Sequence, residues 1–449
     1  KIKKREDIKD DKIKIAIKSE LGELKTGGKE PPHIKLMKQL EISEPETRIS
    51  DSGNLRFYPK GLFMINMMME LGRKISTQDL GASEVKTPYI INPDQENVNI
   101  MMGKFPERLY KVKPGSKTKK QEFRLRPACD YGVWSIFKDM VISYRQLPFG
   151  LYEHDLIWRY EQSGEIVGLN RLRNATMANL HTMCADMEQS FVEFERQVKE
   201  FAINLYDYFD IKPEIVVLNC KKEFFEEHKK TFKKWAKAFE MPMIVKLFET
   251  MKTYKVAWVD VIAFDKLGRP VEIDTVQLDT ESADWWDITY TGKDNTEKKP
   301  FFLHTGFGAE RFLSAILEDA SGEKNPTFPL WLSPTQVRLC PINDSFVEYC
   351  MEIADDLEKE NIRVDIDDRQ ESVGKKVRYS EMEWIPMTIV VGQNEKDSGK
   401  LPVRFRKNAE VKKMYPKELI EAVNTETKGF PYKPLPLNRM LTKRPKFVG

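Results

Sequence analysis

The segment LYEHDLIWRYEQSGEIVGLNRLRNATMANLHTMC, residues 151–184, alternates polar and apolar side chains on both sides of a polar loop. A β-strand sends successive side chains to opposite faces of a sheet, so this alternation predicts two paired strands. Arg159 and Glu161 project together from the first strand, and Arg171, Asn179 and His181 follow on the second. One face of the predicted hairpin therefore collects cations, a carboxylate, an amide and an imidazole.

Two interpretations of this face stay open on spacing alone. The three arginines Arg159, Arg171 and Arg173 could form a solvated polar surface. They also flank a glycine-containing loop, and guanidinium groups bind phosphate oxygens in bidentate fashion. A triphosphate site is therefore at least as well supported as a solvated surface.

The composition of the 449-residue chain, with 41% hydrophobic and 32% charged residues, is typical of a globular protein with two or three domains. No run approaches the roughly 18 apolar residues of a membrane span, so we expect no membrane association. The net charge of +3 is too small to indicate nucleic-acid binding by itself. Five cysteines without a CxxC pair argue against a disulfide framework and predict a reducing, cytoplasmic location.

The domain organisation is predicted from changes of pattern along the chain. We expect a lead-in or linker over residues 1–50, a large domain over 51–332 and a small α/β domain over 333–449, after the proline-flanked stretch 329–334. Apolar positions at helical spacing predict one long packing helix over Met187–Tyr208. The elements predicted for the small domain are the strands Val337–Ile342, Ile362–Ile366, Thr388–Val391 and Leu401–Arg406, and a helix over Gly374–Trp384.

Three motifs resemble those of class II aminoacyl-tRNA synthetases. Arg159-Tyr160-Glu161, followed by a loop and an arginine-bearing strand, resembles their motif 2, and residues 306–311 (GFGAER) resemble motif 3. The segment Gly81–Ile90, with Pro88, resembles motif 1, whose proline lies at a dimer interface. The resemblance implies an α+β fold: an antiparallel sheet with flanking helices, plus a C-terminal α/β anticodon-binding domain. It also implies a homodimer.

The same resemblance implies the ATP-binding residues. Arg159 would bind the α-phosphate, Glu161 the adenine, and Arg171 and Arg311 the distal phosphates; Glu272 would belong to the same site. Mg²⁺ would accompany ATP. Arg159 and Arg311 would then carry the catalysis, which in such a site is mainly positional and electrostatic.

Longer segments closely resemble threonyl-tRNA synthetases, particularly the archaeal type, from about residue 30 to the end of the sequence. The resemblance implies a threonine–tRNA ligase that activates L-threonine with ATP to threonyl-adenylate and transfers it to the 3′ end of tRNA(Thr). The segments that carry it are residues 126–129 (RPAC), 142–150 (ISYRQLPFG), 161–165 (EQSGE), 275–279 (TVQLD), 331–337 (WLSPTQV) and 443–447 (KRPKF).

A zinc site follows from this resemblance and not from spacing. Cys129, His181 and His304 are too far apart for a local zinc motif, and each alone is better explained as a structural residue. In threonyl-tRNA synthetases the matching positions hold a catalytic-site zinc, which implies one Zn²⁺ per subunit. Three protein ligands leave the metal open to the amino and hydroxyl groups of threonine, and valine lacks that hydroxyl. Cys184 is predicted to face the opposite side of its strand.

Some positions depart from the family pattern. Asn179 and Gln277 would contact the amino acid, but the family usually has aspartate at the position of Asn179, and asparagine cannot carry its negative charge. The spacing from His304 to Arg311 is shorter than usual. A tyrosine and a lysine that lie near the substrate in bacterial members have their counterparts around residues 255–258.

The C-terminal domain resembles the anticodon-binding domain shared with prolyl and glycyl enzymes. Gln370, Asp397 and Arg406 match positions that would contact anticodon bases, since side chains at sheet edges can read splayed bases. They could equally be ordinary surface polar residues.

Serine shares the amino and hydroxyl groups of threonine, which raises the question of proofreading. The residues before motif 1 are too few for the N-terminal editing domain of full-length family members. Either such a domain precedes this sequence or a separate trans-editing protein acts.

Two alternatives to threonine ligation also remain: a class II synthetase paralogue with altered amino-acid selectivity, and a non-catalytic synthetase-like RNA-binding protein. Retention of Arg159, Glu161 and Arg311 counts against the second, since a pure RNA binder needs no triphosphate site.

Overall fold

The computed structural model describes residues 8–23, 30–103, 108–115, 121–251, 254–264 and 268–447. The chain divides into two compact units. The first comprises residues 1–30, 52–54 and 72–315, and the second comprises 31–51, 55–71 and 316–449. The domain boundaries predicted at residues 50 and 332 stay predictions.

The first unit is built on a large, mostly antiparallel sheet. Eight strands form it within the described residues, and only the pair at each edge runs parallel. This architecture confirms the predicted fold class. In spatial order the strands are Met243–Phe248, Ile215–Lys221, Lys255–Phe264, Pro270–Asp279, Phe301–Gly308, Asn174–Cys184, Phe149–Trp158 and Ser83–Glu84.

The predicted hairpin forms two neighbouring strands of this sheet. Strands Phe149–Trp158 and Asn174–Cys184 pair antiparallel, with Glu153 opposite Asn179. The first strand ends before Arg159, although the Arg159 backbone N–H still donates to the Arg173 carbonyl at 2.9 Å. Glu153, which the alternation places with the polar set, is 1% exposed. It is buried because the equally buried Arg126 neutralises it at 2.9 Å.

Removing this buried counter-charge is expected to destabilise the first unit. Glu153→Ala leaves the Arg126 guanidinium without its carboxylate, and uncompensated buried charges cost about 3–5 kcal/mol. Glu153 also accepts a hydrogen bond from the Thr87 backbone N–H at 2.7 Å, which alanine cannot accept. Urea unfolding should show the decrease in stability. The control is Glu223→Ala, which removes the exposed partner of Lys221 and should shift the midpoint little.

Helices flank the large sheet. The stripe predicted over residues 187–208 is helical throughout, but its middle is a π-helix, Val198–Ile203, between the α-helices Met187–Gln197 and Asn204–Tyr208. Phe194, Phe201 and Leu205 of this stripe are fully buried, which confirms a packing role. The other helices that lie wholly in the first unit are Asp11–Glu20, Ile75–Asp79 (a π-helix), Glu96–Met102, Asp130–Asp139, Lys222–Glu227, Lys229–Ala238 and Ser282–Trp285; its short strands are Ile90–Ile91, Lys111–Val112, Phe123–Leu125, Tyr290–Thr291 and Glu297–Lys298.

The predicted lead-in contains ordered elements. Helix Asp11–Glu20 begins where the Asp10 side chain accepts from the Ile13 backbone N–H. Its Ala16 is buried against Ile215 and Val217 of the large sheet. Helix Pro32–Gln39 belongs to the second unit. The predicted linker is therefore partly folded structure, while residues 1–7 and 24–29 lie outside the described part of the chain.

The second unit contains a five-stranded mixed sheet, counted over the described residues. Its apolar core includes Val337, Leu339, Ile353, Ile389 and Val403. The predicted strands of the small domain are confirmed with small shifts of their ends. In spatial order the sheet comprises Val364–Ile366, Val337–Pro341, Met387–Val391, Leu401–Phe405 and Val411–Met414, the first three parallel; the last strand was not predicted. The helices are Pro32–Gln39, Asp344–Phe346 (3₁₀), Val347–Lys359, Val373–Met382, Gln393–Ser398, Pro416–Thr427 and Leu441–Lys443 (3₁₀), and a short hairpin joins Ser43–Pro45 to Leu55–Phe57.

Two helices, Pro59–Lys74 and Ala309–Ala320, contribute residues to both units. Within the described ranges, no helix is both long and apolar enough to span a membrane.

Candidate active site

A cavity of about 360 Å³ opens on one face of the large sheet of the first unit. The strands Asn174–Cys184, Pro270–Asp279 and Phe301–Gly308 line it, together with residues that follow Trp158. Every residue predicted for ATP and for the amino acid, and two of the three predicted zinc ligands, line this single cavity: Arg159, Glu161, Arg171, Asn179, His181, Glu272, Gln277, His304 and Arg311.

Strand register explains why residues distant in sequence meet here. His304 lies directly opposite His181 on one neighbouring strand and opposite Gln277 on the other. Gly306 is opposite Asn179. A Cβ on Gly306 would approach the Ala178 carbonyl oxygen to 2.5 Å, so only glycine fits this close approach.

At one end of the cavity two cations converge. The Arg159 Nε donates to the Pro127 carbonyl at 2.9 Å, which fixes its guanidinium. Arg311 donates to the Glu272 and Asn170 carbonyls at 3.3 and 3.4 Å. Burial lowers the pKa of Arg159, and the charge of Arg311 lowers it further. An anion bound between these side chains would relieve their repulsion.

Glu161, the predicted adenine contact, is buried and paired with two arginines. Arg171, predicted to bind a distal phosphate, donates its Nε to this carboxylate at 3.0 Å. Arg108 donates its Nη1 to both carboxylate oxygens at 2.9 and 2.7 Å. Arg173 donates to the Glu161 backbone carbonyl and lies over the Tyr160 ring, so this third arginine has a structural role. Sequence reasoning missed Arg108, which no spacing relates to the hairpin.

At the other end His181 and His304 enclose the carboxylate of Asp130. The His304 Nδ1 lies 2.9 Å from the Asp130 Oδ1, and the His181 Nε2 lies 3.7 Å from the same oxygen. The His304 Nε2 lies 3.0 Å from the Asp279 carboxylate, and the Tyr254 hydroxyl donates to Asp130 at 2.9 Å. Within the described residues, Asp130, His181 and His304 form the group whose atoms are close enough to share a metal ion.

The ring nitrogens of this group are incompletely satisfied. The Nδ1 atoms of His181 and His304 are buried, and neither makes a geometrically aligned hydrogen bond to another described residue. Burial lowers the pKa of His181. Burial would raise the pKa of Asp130, but the two histidines, His304 foremost, hold it well below its ordinary value.

Cys129 is next to this group in the chain but is not among its members. It is 1% exposed, and its Sγ accepts from the Asn179 side-chain amide at 3.1 Å. Burial raises the pKa of its thiol. Sequence reasoning selected Cys129 and not Asp130, which directly follows the segment 126–129 that carried the family resemblance.

Lys255 lines the histidine end of the cavity. Its Nζ donates to the Gln277 side-chain oxygen and lies 4.8 Å from the centre of the Tyr254 ring. Burial lowers the pKa of this lysine. The substrate role expected for residues 255–258 stays a prediction.

Glu310 predicts a measurable pH dependence of stability. Burial raises its pKa from 4.5 to about 6, although Thr176 donates to it through both its backbone N–H and its hydroxyl. Because the folded state binds this proton more tightly than the unfolded chain, the free energy of unfolding falls as pH rises from about 4.5 to about 6. Above about pH 6 the free energy of unfolding is lower by the full amount, about 2 kcal/mol.

Glu310→Gln removes this ionisation. Urea unfolding near pH 4.5 and pH 7 should therefore show a decrease in stability that is about 2 kcal/mol smaller in the variant than in the parent protein. An equal decrease in both proteins would contradict the raised pKa.

The predicted anticodon residues do not share one edge of the second unit's sheet. Gln370 and Asp397 are exposed and follow the carboxyl ends of parallel strands. Gln370 donates to Asp344 at 3.3 Å, and Asp397 accepts from Gln393 at 2.6 Å. Arg406 lies at the opposite end, where its backbone N–H donates to the Pro386 carbonyl and its Nε donates to the Pro326 carbonyl at 2.5 Å. The antiparallel turn of strand Leu401–Phe405 causes this separation.

Two family models match the chain. Residues 110–320 match the tRNA synthetase class II core domain (G, H, P, S and T), and residues 336–426 match an anticodon-binding domain. The first range contains the residues that line the cavity except Arg108, and the second contains the five-stranded sheet.

Curated relatives match nearly the whole chain. A threonine–tRNA ligase of Methanobrevibacter smithii is 38% identical over 447 residues, which cover 98% of this chain and 72% of the relative. A threonine–tRNA ligase of Methanocaldococcus jannaschii is 38% identical over 459 residues, with the same two coverages.

Solved structures share the fold. A structure described as the RNA-binding domain of threonyl-tRNA synthetase from Cryptosporidium parvum superposes with a TM-score of 0.77 at 23% identity, covering 90% of this chain and 99% of that one. Giardia lamblia prolyl-tRNA synthetase, solved with prolyl-adenylate, superposes with a TM-score of 0.71 at 20% identity, covering 88% and 78%.

Proposed function

The chain belongs to the threonine–tRNA ligase family, and from this premise we propose how its cavity performs threonyl-tRNA synthesis. ATP binds at the arginine end and threonine at the histidine end, so that the threonine carboxylate attacks the α-phosphorus between them. The threonyl group then passes to the 3′ end of tRNA(Thr). The observation that carries this proposal is that both sets of residues line one cavity of about 360 Å³.

The arginine end supplies electrostatic stabilisation. Arg159 is held by the Pro127 carbonyl and faces the α-phosphate in our proposal, while Arg311 and Arg171 take the distal phosphates. Mg²⁺ accompanies ATP, as in class II synthetases generally, and Glu272 is the nearby carboxylate that we assign to this site. These charges need no reorganisation as negative charge develops on the phosphate, which is the source of their catalytic effect.

The histidine end fits a zinc ion. The His304 Nδ1 and the His181 Nε2 face the Asp130 carboxylate at 2.9 and 3.7 Å, and the buried His304 Nδ1 makes no aligned hydrogen bond within the described residues. Asp279 contacts the His304 Nε2, the carboxylate support typical of metal-binding histidines. We propose one zinc per subunit on His181, His304 and a third ligand. When bound, the metal would provide an open coordination position for the amino and hydroxyl groups of threonine.

Two residues are candidates for the third zinc ligand. The family resemblance favours Cys129, whereas the short distances favour Asp130. Asn179 and Gln277 complete the proposed amino-acid site; the Asn179 amide donates to Cys129, which leaves its oxygen to accept from the substrate hydroxyl.

Metal content tests this proposal directly. The purified protein should contain one zinc per chain, and His181→Ala or His304→Ala should lose it. Loss of zinc in Cys129→Ser or in Asp130→Asn identifies the third ligand. The control is Cys184→Ser, a buried cysteine at the end of the strand that carries His181. Full zinc content in both histidine variants would refute the site.

The remaining assignments concern partners. We propose that Gln370, Asp397 and Arg406 contact the tRNA anticodon arm, and that the protein is a homodimer through the Gly81–Ile90 region. We also propose a cytoplasmic location, to which five buried free cysteines are suited. A separate trans-editing protein would remove serine from mischarged tRNA if no editing domain is attached.

A further inference from the structure

Two arginines and two glutamates form a closed ring at the rim of the cavity. Arg108 contacts Glu161 at 2.7 Å and Glu165 at 3.2 Å. Arg171 contacts the same two carboxylates, at 2.9 and 3.2 Å. Each arginine therefore has the same pair of partners, and Glu161 is bound by two guanidinium groups at once.

This double pairing exceeds what neutralisation of Glu161 requires. The Glu161 side chain is 7% exposed, and one guanidinium group is enough to neutralise its charge. The side chains of Arg108 and Arg171 are 37% and 39% exposed, so either can be reached from solvent. The second arginine is thus available for another task without leaving the carboxylate unpaired.

The other task is nucleotide binding by Arg171, and this step rests on the function proposed above. Arg171 must give up at least part of its contact with Glu161 and Glu165 to reach a distal phosphate. Glu161 must keep an acceptor oxygen directed at the adenine, because the 6-amino group is the donor of the adenine ring. If Arg171 were its only partner, its departure would leave a buried, unpaired carboxylate, which is costly.

We propose that Arg108 is the positioning residue of the adenine site: it keeps Glu161 paired and oriented when Arg171 moves to the triphosphate. Its Nη1 contacts both carboxylate oxygens, so it fixes the rotation of the group as well as its charge. A carboxylate has about four acceptor positions, and lone pairs remain for the adenine amino group. Arg108 does not itself touch the nucleotide.

The test compares ATP with purine riboside triphosphate, which lacks the 6-amino group, in threonine-dependent pyrophosphate exchange. Arg108→Gln should raise KM for ATP about tenfold and change kcat less than about twofold, the size expected for one charged hydrogen bond. With the analogue, the same substitution should change KM less than about twofold, because the contact that Arg108 supports is absent. Arg108→Lys, which keeps the charge but not the fork, should recover part of the ATP effect.

The matched control is Arg124→Gln, which removes an arginine paired with Glu122 away from the cavity and should leave both KM values unchanged. Equal KM increases for ATP and the analogue in Arg108→Gln would overturn the inference, as would an unchanged KM for ATP. Glu161→Ala, which removes the acceptor oxygens, separates the two proposals. If it leaves KM for ATP unchanged, the adenine role of Glu161 fails; if it raises KM while Arg108→Gln does not, only the role of Arg108 fails.

Discussion

Replacing Arg159 with methionine is expected to lower threonine-dependent ATP–pyrophosphate exchange by about a thousandfold, since loss of one preorganised group at the developing charge costs that order of rate. Methionine keeps the length and apolar volume of the side chain, so the cavity wall is preserved. The substitution removes the guanidinium group, which a hydrogen bond to the Pro127 carbonyl holds in the cavity. The decrease should appear in kcat at saturating ATP and threonine.

A matched control separates catalysis from folding. Arg124→Met makes the same change in the same unit, outside the cavity, and should retain the parental rate. A decrease of less than about tenfold in Arg159→Met would show that Arg159 is not at the reacting phosphate.

The second large effect is expected for His304→Ala. This variant should lower kcat/KM for threonine by about a thousandfold. The reason is that a site built to bind a substrate hydroxyl loses a large part of its binding energy for that substrate when the contact to the hydroxyl is lost. KM for ATP should change little, since the arginine end keeps its interactions. His304 is central because it faces Asp130 through one ring nitrogen and Asp279 through the other.

The control for this variant is His154→Ala. His154 lies on the strand Phe149–Trp158 of the same sheet, near Glu84 and away from the cavity. It should leave kcat/KM for threonine unchanged. A parental kcat/KM for threonine in a folded His304→Ala protein would exclude the histidine end as the amino-acid site.

The local pattern of the sequence was sufficient for the hairpin and for the strands of the second unit. Period-two alternation placed Asn179 and His181 on one face, and the register with Gly306 and His304 agrees with it. Alternation placed Glu153 on this face as well, where it lies opposite Asn179. It did not predict that Glu153 is buried, which is possible because a distant arginine, Arg126, neutralises it. No local pattern reports a counter-charge from another part of the chain.

The spacing of residues along the sequence could not show which distant residues become neighbours in the fold. His181, Gln277 and His304 are neighbours only through the strand order of the large sheet. Asp130 and Arg108 were missed for the same reason: their importance comes from partners far along the chain. Arg406 was grouped with Gln370 and Asp397, but the reversal of its strand places it at the other end of the sheet.

The most direct test of the account is the amino-acid dependence of ATP–pyrophosphate exchange by the metal-loaded protein. Threonine should support rapid exchange. Serine should support less, and its level shows whether Asn179 relaxes selectivity. Valine and proline should give no more than background, because neither presents a hydroxyl to the histidine end. Exchange with valine or proline as fast as with threonine, or exchange without any amino acid, would contradict the assignment of this cavity to threonine activation.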